Sequence, residues 1–300
     1  AEGKFASANA SGGVADRPWL QSIDSDLDDP DYTLAYDLMK DTQDDWLSSD
    51  GVRRRDTKDR VVKELTEKLA DDKDFNALVK EINESSSLKR SFDVGAYSSV
   101  KVSREDAVNS LVKTWAISSG DTDPLALAVQ KAAAREFGSG KLPDRLQRNW
   151  EKVGALTAPL DKVLPGLQSF VRVQYESTQA WFKERNIDKV TVFRGMDAPS
   201  KWPMSSKEGK YAVGLNPLSS FSLSKKDAML FAAGAGNPRQ NNPVLLTGTI
   251  PASRILSIPI RGIGCMSEAE VVVLGGRTRL FAGPSTVVGI YSQKLLSRED

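Results

Sequence analysis

An α+β fold, with helices first and a mostly antiparallel sheet or sandwich after them, follows from the order of patterns along this chain. Two observations predict it. Up to about residue 186 apolar residues recur at helical spacing between recognisable caps, and from Val190 onward short apolar runs alternate with Gly, Pro, Asn and Ser. Composition allows such a fold: 40% hydrophobic and 27% charged residues over 300 positions suffice to bury a core.

The elements follow in order. Residues 1–20 are small and polar and read as a disordered lead-in. Gln21 to Asp50 carries ten aspartates against one lysine, followed by Arg53, Arg54, Arg55, Lys58, Arg60 and Lys63. Such charge blocks are more often solvated helix faces than binding surfaces. Val61, Val62, Leu65 and Leu69, then Phe75, Leu78, Val79 and Ile82, predict two amphipathic helices. The stretch Ser85 to Gly95 reads as a linker, which divides the chain into residues 1–20, 21–95 and 96–300.

Ser103 can cap a helix with the stripe Val108, Leu111, Val112, Trp115 and Ala116, and Gly120 lies just past its end. Asp123-Pro124 starts the next and Gly138 closes it, while Leu142-Pro143-Asp144 opens a third. A longer helix follows Pro165, with Leu167, Phe170, Val171, Tyr175 and Phe182 on one side, and ends near Asn186. Strands are expected at 190–193, 218–223, 244–250, 255–260, 270–274, 279–281 and 287–291, with one helix at about 225–233.

Composition narrows the chemistry. No histidine is present, which removes the commonest general base, every Ser–His or Cys–His pair and most zinc sites. The single cysteine, Cys265, allows no intrachain disulfide and no Cys-rich metal cluster, so no metal is expected. The 41 basic and 40 acidic residues nearly cancel, and nucleic acid is not an expected partner. No apolar run approaches the ~20 residues of a membrane span. The chain starts at Ala1 rather than Met, as a processed product or a fragment would.

Three motifs carry the functional argument. Arg194 ends an apolar strand before Gly195, where a guanidinium fork suits a phosphate. Ser220 and Ser222 share one face of a strand, with Phe221 on the other. Glu268 and Glu270 lead directly into Val271–Leu274, and two like charges there raise the cost of ionising both. Taken singly, these also suit a strand-end arginine pointing to solvent, a strand with serine on its wet face and a solvent-facing strand end.

The order of the three is specific. Phe193-Arg194-Gly195, Ser220-Phe221-Ser222 and Glu268-Ala269-Glu270 resemble the Arg–Ser–Glu branch of the ADP-ribosyltransferases, which includes clostridial actin-modifying toxins, ecto-transferases and phage enzymes. The resemblance covers residues 193–270 and extends to about 96–295 with the family's preceding helices. It implies an ADP-ribosyltransferase-like fold, a catalytic domain over 96–300, and transfer of ADP-ribose from NAD⁺, a co-substrate, to arginine of a protein substrate. By the same resemblance Glu270 stabilises the oxocarbenium-like state, Ser220 orients Glu270, and Glu268 positions the incoming guanidinium. Arg194 grips the NAD⁺ phosphates, the Gly195 backbone meets the nicotinamide amide, and Ser222 belongs to the cofactor side. Phe231 is placed to pack on nicotinamide or, equally, to fill the core as an aromatic of an amphipathic helix, and Arg239, in the polar loop Gly234–Pro243, to add a second phosphate contact.

The segment Pro259–Ser267 corresponds to the family's substrate-recognising loop but lacks the aromatic of several arginine-modifying relatives. A toxin, effector or phage-delivered enzyme, secreted or injected into a target-cell cytoplasm, is the expected setting. NAD⁺ glycohydrolase activity and a non-enzymatic adaptor with a degenerate transferase fold are the alternatives.

Overall fold

The computed structural model describes residues 51–94, 101–117, 123–138, 141–197, 209–232, 243–265, 268–275 and 277–282. The expected lead-in, the aspartate-rich stretch, Arg239 and its loop, and the strand at 287–291 lie outside these residues. Helices come first, as expected: α1 (Gly51–Lys68), α2 (Lys73–Glu84), α3 (Ser86–Ser91), α4 (Arg104–Ile117), α5 (Pro124–Phe137), α6 (Asp144–Lys152), α7 (Gly154–Lys162) and α8 (Leu164–Glu184). The strands are β1 (Lys189–Asp197), β2 (Gly209–Gly214), β3 (Leu218–Ser222), β4 (Pro243–Pro251), β5 (Ile255–Ser257), β6 (Glu270–Leu274) and β7 (Arg277–Ala282), with α9 (Lys225–Ala232) after β3.

Local chemistry starts these helices where the sequence placed them. Asp72 caps α2 by accepting from the Phe75 N–H at 2.8 Å, and Phe75, Leu78 and Ile82 form its buried stripe. At α4 the Ser103 hydroxyl accepts from the Asp106 N–H while Asp106 accepts from the Ser103 N–H, a reciprocal cap. Asp123 and Pro124 open α5 and Gly138 ends it. Helix α5 buries residues on every side, so it runs through the interior of the helical layer.

The strands form one seven-stranded sheet in the order β2-β7-β4-β1-β3-β6-β5, with every neighbouring pair antiparallel. The expected sandwich is thus a single sheet with a sharp junction. β1 pairs with β4 from Lys189↔Pro251 to Asp197↔Pro243, yet it meets β3 at one pair, Phe193↔Ser222. Inward residues from both sides of that junction share one cluster: Val190, Val192, Leu246 and Ile250 with Phe221, Val271, Val273 and Ile255. A junction of one pair lets the sheet turn its two halves toward each other.

The other face of the β3-β6-β5 half, with Leu218, Val272, Leu274 and Leu256, packs on the helices. β6 is therefore buried along its whole length. On the same face of the β1-β4 half, α9 covers the sheet through Ala228, Met229, Phe193 and Leu245.

Among the described residues, helices before and after residue 95 contribute to one apolar cluster. Val61, Leu65, Phe75 and Leu78 from the first helices lie in the same cluster as Leu167, Leu218 and Val272. The apolar stripes of α1 and α2 pack against α4 and α8, and α2 also against α3. Two strand expectations also change. β2 was not foreseen, because Tyr211-Ala212-Val213 is a short run between glycines. β5 ends at Ser257 instead of 260, because Pro259 cannot donate to a ladder and the chain turns there.

The crossing of α2 and α8 is close because Gly166 has no side chain. A Cβ there would lie 2.5 Å from Leu78 Cβ and 2.8 Å from the Asp74 carbonyl. Gly166→Ala should destabilise the protein by about 1–2 kcal/mol net of its gain in helix propensity. Gly154→Ala, with nothing within 4 Å, should raise stability by about 0.4–1 kcal/mol. Urea unfolding of the two variants, compared with the parent, checks the contrast.

Candidate functional site

The register of the sheet puts the three motifs on adjacent strands. Phe193 of β1 pairs with Ser222 of β3, and Ser222 pairs with Glu270 of β6. Phe193, Ser222 and Glu270 therefore form one row across three strands, with their side chains on one face.

Glu270 is only 5% exposed, and its carboxylate is held from two sides. Trp115 of α4, itself buried, donates its indole N–H to Oε1 at 3.1 Å. The Cys265 backbone N–H donates to Oε2 at 2.6 Å. The Glu270 N–H returns to the Cys265 carbonyl at 3.1 Å, so side chain and backbone close a small ring. Orienting Glu270 was expected of Ser220. That residue instead pairs with Val272, and its hydroxyl makes no hydrogen bond among the described residues. Ser222 is the serine opposite Glu270. Its hydroxyl donates to the Glu268 carbonyl at 2.7 Å and accepts from the Ser224 N–H at 2.9 Å.

Glu268 is half-buried and precedes Ala269, whose φ of 46° turns the chain between the two glutamates. Burial pushes the Glu268 carboxyl above its ordinary value, the charge of Glu270 adds to that, and Asp227 of α9 contributes in the same sense; a hydrogen bond from Cys265 opposes them. A half-buried carboxylate with a raised pKa is a better proton acceptor than an ordinary one.

The loop before Glu270 is fixed from the far end of the chain. Lys58 of α1 donates to the carbonyls of Pro259, Gly262 and Gly264 at 3.2, 2.9 and 2.8 Å. By area Lys58 is partly exposed, but its ammonium is enclosed by these carbonyls. Burial lowers its pKa to about 8, and the negative charge of Glu270 and Cys265 offsets only part of that. Further along α1, Glu64 accepts from Arg261 at 2.9 Å and from the Ser177 hydroxyl at 2.7 Å. Burial pushes the Glu64 carboxyl up, yet Ser177, Lys68 and Arg261 together bring it below its ordinary value. Gln174 of α8 accepts from the Ile263 N–H, and the Ser257 hydroxyl donates to the Ile263 carbonyl.

The charge block of α1 is thus not uniformly a solvated face. Arg60 and Lys63 are exposed, but Lys58 turns inward. It lies three, four and seven residues before Val61, Val62 and Leu65, so it belongs to the same helical stripe. That spacing was the available signal for it. For the indole N–H of Trp115 no sequence signal existed, since its stripe position accounts for it fully.

The remaining expected residues sit apart from this centre. Arg194 follows Phe193 and so points to the opposite face, with its guanidinium carbon 5.5 Å from the Phe221 ring centroid. Gly195 is required by packing: a Cβ would lie 1.8 Å from the Ala228 carbonyl oxygen and 2.4 Å from the Ala232 nitrogen of α9. Phe231 is 39% exposed on α9. Among the described residues, no group of three or more acidic, Cys or His side chains could hold a metal ion, and no helix is long and apolar enough to cross a membrane.

No family profile matches this sequence, and comparisons with curated proteins and with solved structures find no significant match.

The lowered pKa of Lys58 gives a signed stability prediction. Above pH 8 folded Lys58 sheds its proton, while the unfolded chain keeps it up to about the ordinary 10.5, so the unfolded state binds more protons in that window. Lys58 therefore makes stability rise from about pH 8 toward 10.5. Denaturant unfolding of the parent minus that of Lys58→Met should show this rise, and it should be flat below pH 7.

Proposed function

We propose that this protein is an NAD⁺-dependent mono-ADP-ribosyltransferase that modifies protein arginine. The observation that carries the reading is the row Phe193–Ser222–Glu270, which gathers three motifs from distant parts of the sequence onto neighbouring strands. The fold class fits as well, with helices followed by an antiparallel sheet.

Cleaving the nicotinamide–ribose bond develops positive charge at the ribose, and a fixed carboxylate stabilises it in the transition state. Glu270 suits this task because two N–H donors hold it and no mobile solvent shell has to reorganise around it. Glu268, half-exposed and with a raised pKa, suits the acceptor side. A guanidinium is protonated at neutral pH and attacks only when something orients it and takes its proton. Arg194 would hold the NAD⁺ phosphates, and Phe231 and Arg239 would contribute from α9 and the loop beyond it.

A non-enzymatic adaptor draws on one observation, the placement of Arg194 and Glu270 on opposite faces of the row. The catalytic reading is preferred because both glutamates keep the environments the chemistry asks of them.

Two substitutions test this reading in one preparation, with nicotinamide release and label transfer to agmatine measured side by side. Glu270→Gln should lower both activities by ~10²-fold or more. Glu268→Gln should abolish transfer and leave a substantial part of NAD⁺ hydrolysis, since water needs little positioning. Near-normal hydrolysis in folded Glu270→Gln would remove Glu270 from its role, and transfer that survives Glu268→Gln would exclude arginine activation by that residue.

A further inference from the structure

We infer that Lys58 and Trp115 are positioning residues for the Glu270 carboxylate, so that helix α1, N-terminal to residue 95, is part of the catalytic unit together with α4. This rests on the transferase reading above and specifies which residues set its central carboxylate.

Glu270 has few ways to keep both its place and its charge in a buried position. Oε1 is held by Trp115 and Oε2 by the Cys265 N–H. The Cys265 N–H is aimed by the loop from Pro259 to Gly264, and that loop is curved around the Lys58 ammonium. An ammonium has three donors, and here all three are spent on carbonyls. Lys58 therefore cannot also bond Glu270. Its influence is exerted by its field across a short distance and by the shape it imposes on the loop.

The loop cannot easily hold that shape by itself. Gly264 has φ of +130°, and a Cβ at Gly262 would lie 2.5 Å from both the Gln174 amide oxygen and the Ser257 hydroxyl. Three carbonyls converging on one point repel each other unless a cation lies between them. Removing Lys58 leaves those carbonyls facing one another and frees the Cys265 N–H to turn from Glu270. Removing the Trp115 N–H leaves Oε1 without its donor, while the ring of a phenylalanine still fills most of the space.

The charged and titratable groups around Lys58 are few. Glu270 faces it from β6 and Cys265 from the loop, while Glu64 on its own helix and Arg261 on the loop pair with each other. Discharge of Lys58 near pH 8 removes its field at Glu270 and one of the three N–H donors that the carbonyls share.

The test uses the full chain with Trp115→Phe and Lys58→Met, each shown by thermal melting to be folded. Nicotinamide release from NAD⁺ gives kcat and KM against pH, and amide hydrogen exchange reads the Cys265 N–H directly. In both variants kcat should fall about tenfold or more, the scale of losing one hydrogen bond to a charged group, with KM for NAD⁺ within about twofold. Parent kcat should decline as pH rises through about 8, and this limb should be missing from Lys58→Met. A limb owed to the Cys265 thiol would survive that change. Exchange at Cys265 should accelerate at least about tenfold in Lys58→Met. Folded variants that keep the parent's kcat, alkaline limb and Cys265 protection overturn the positioning role alone. A parent that releases no nicotinamide overturns the transferase reading and this role with it, even if exchange at Cys265 responds.

Discussion

A lysine ammonium taken out of water needs three acceptors, and Lys58 finds all of them on one stretch of backbone. Much else in the molecule follows from that requirement. The chain has to leave the sheet after Ser257, curl through Pro259 and Gly262, and re-enter as β6 at Glu270. Gln174 and Ser257 bind the amide and carbonyl of Ile263, so backbone groups not facing the lysine are also satisfied. The loop is thereby ordered from three directions, by α1, α8 and β5. Its geometry is a property of the whole fold rather than of its own short sequence.

The sheet depends on a second, lighter constraint. One register pair joins β1 to β3, and around it the two halves close on a shared apolar cluster. A wide, flat pairing at this point would leave Val190, Val192, Phe221 and Val271 without each other. The junction also sets the row of motif residues, since Ser222 is the position where β1 and β6 both make contact with β3. Packing and site geometry are decided at the same residue.

Caps, stripes and apolar runs made most of the elements legible in the sequence, from Asp72 and Ser103 through Asp123 to the run Glu270–Leu274. Those signals are local, and the chemistry that sets them lies within a few residues. Register is different. Alternation shows that Ser220 and Ser222 share a face, but which of them lies opposite Glu270 depends on how two strands far apart in the sequence align. The same limit applies to Glu270 itself, whose partners Trp115 and Cys265 come from a helix and a loop that no spacing rule connects. Lys58 was obscured in another way. It stood in a run of cations whose ordinary fate is solvent, and only its coincidence with the Val61–Leu65 stripe distinguished it. Gly195 carries the opposite lesson: a glycine that suits a motif is also demanded by α9, so its presence alone says little about a ligand.

The bonds from Lys58 span 201 to 206 residues of chain, which has a consequence for how the protein comes into being. Helix α1 is made before the carbonyls it needs, which emerge some 200 residues later. At ordinary synthesis rates of 5–20 residues per second that interval is roughly 10–40 s. Until α4 and α8 follow, Val61, Val62 and Leu65 have only local neighbours to shield them, and the Lys58 contacts form slowly because of their separation. The nascent chain therefore presents an amphipathic helix, apolar on one side and cationic on the other, for long enough to meet a chaperone.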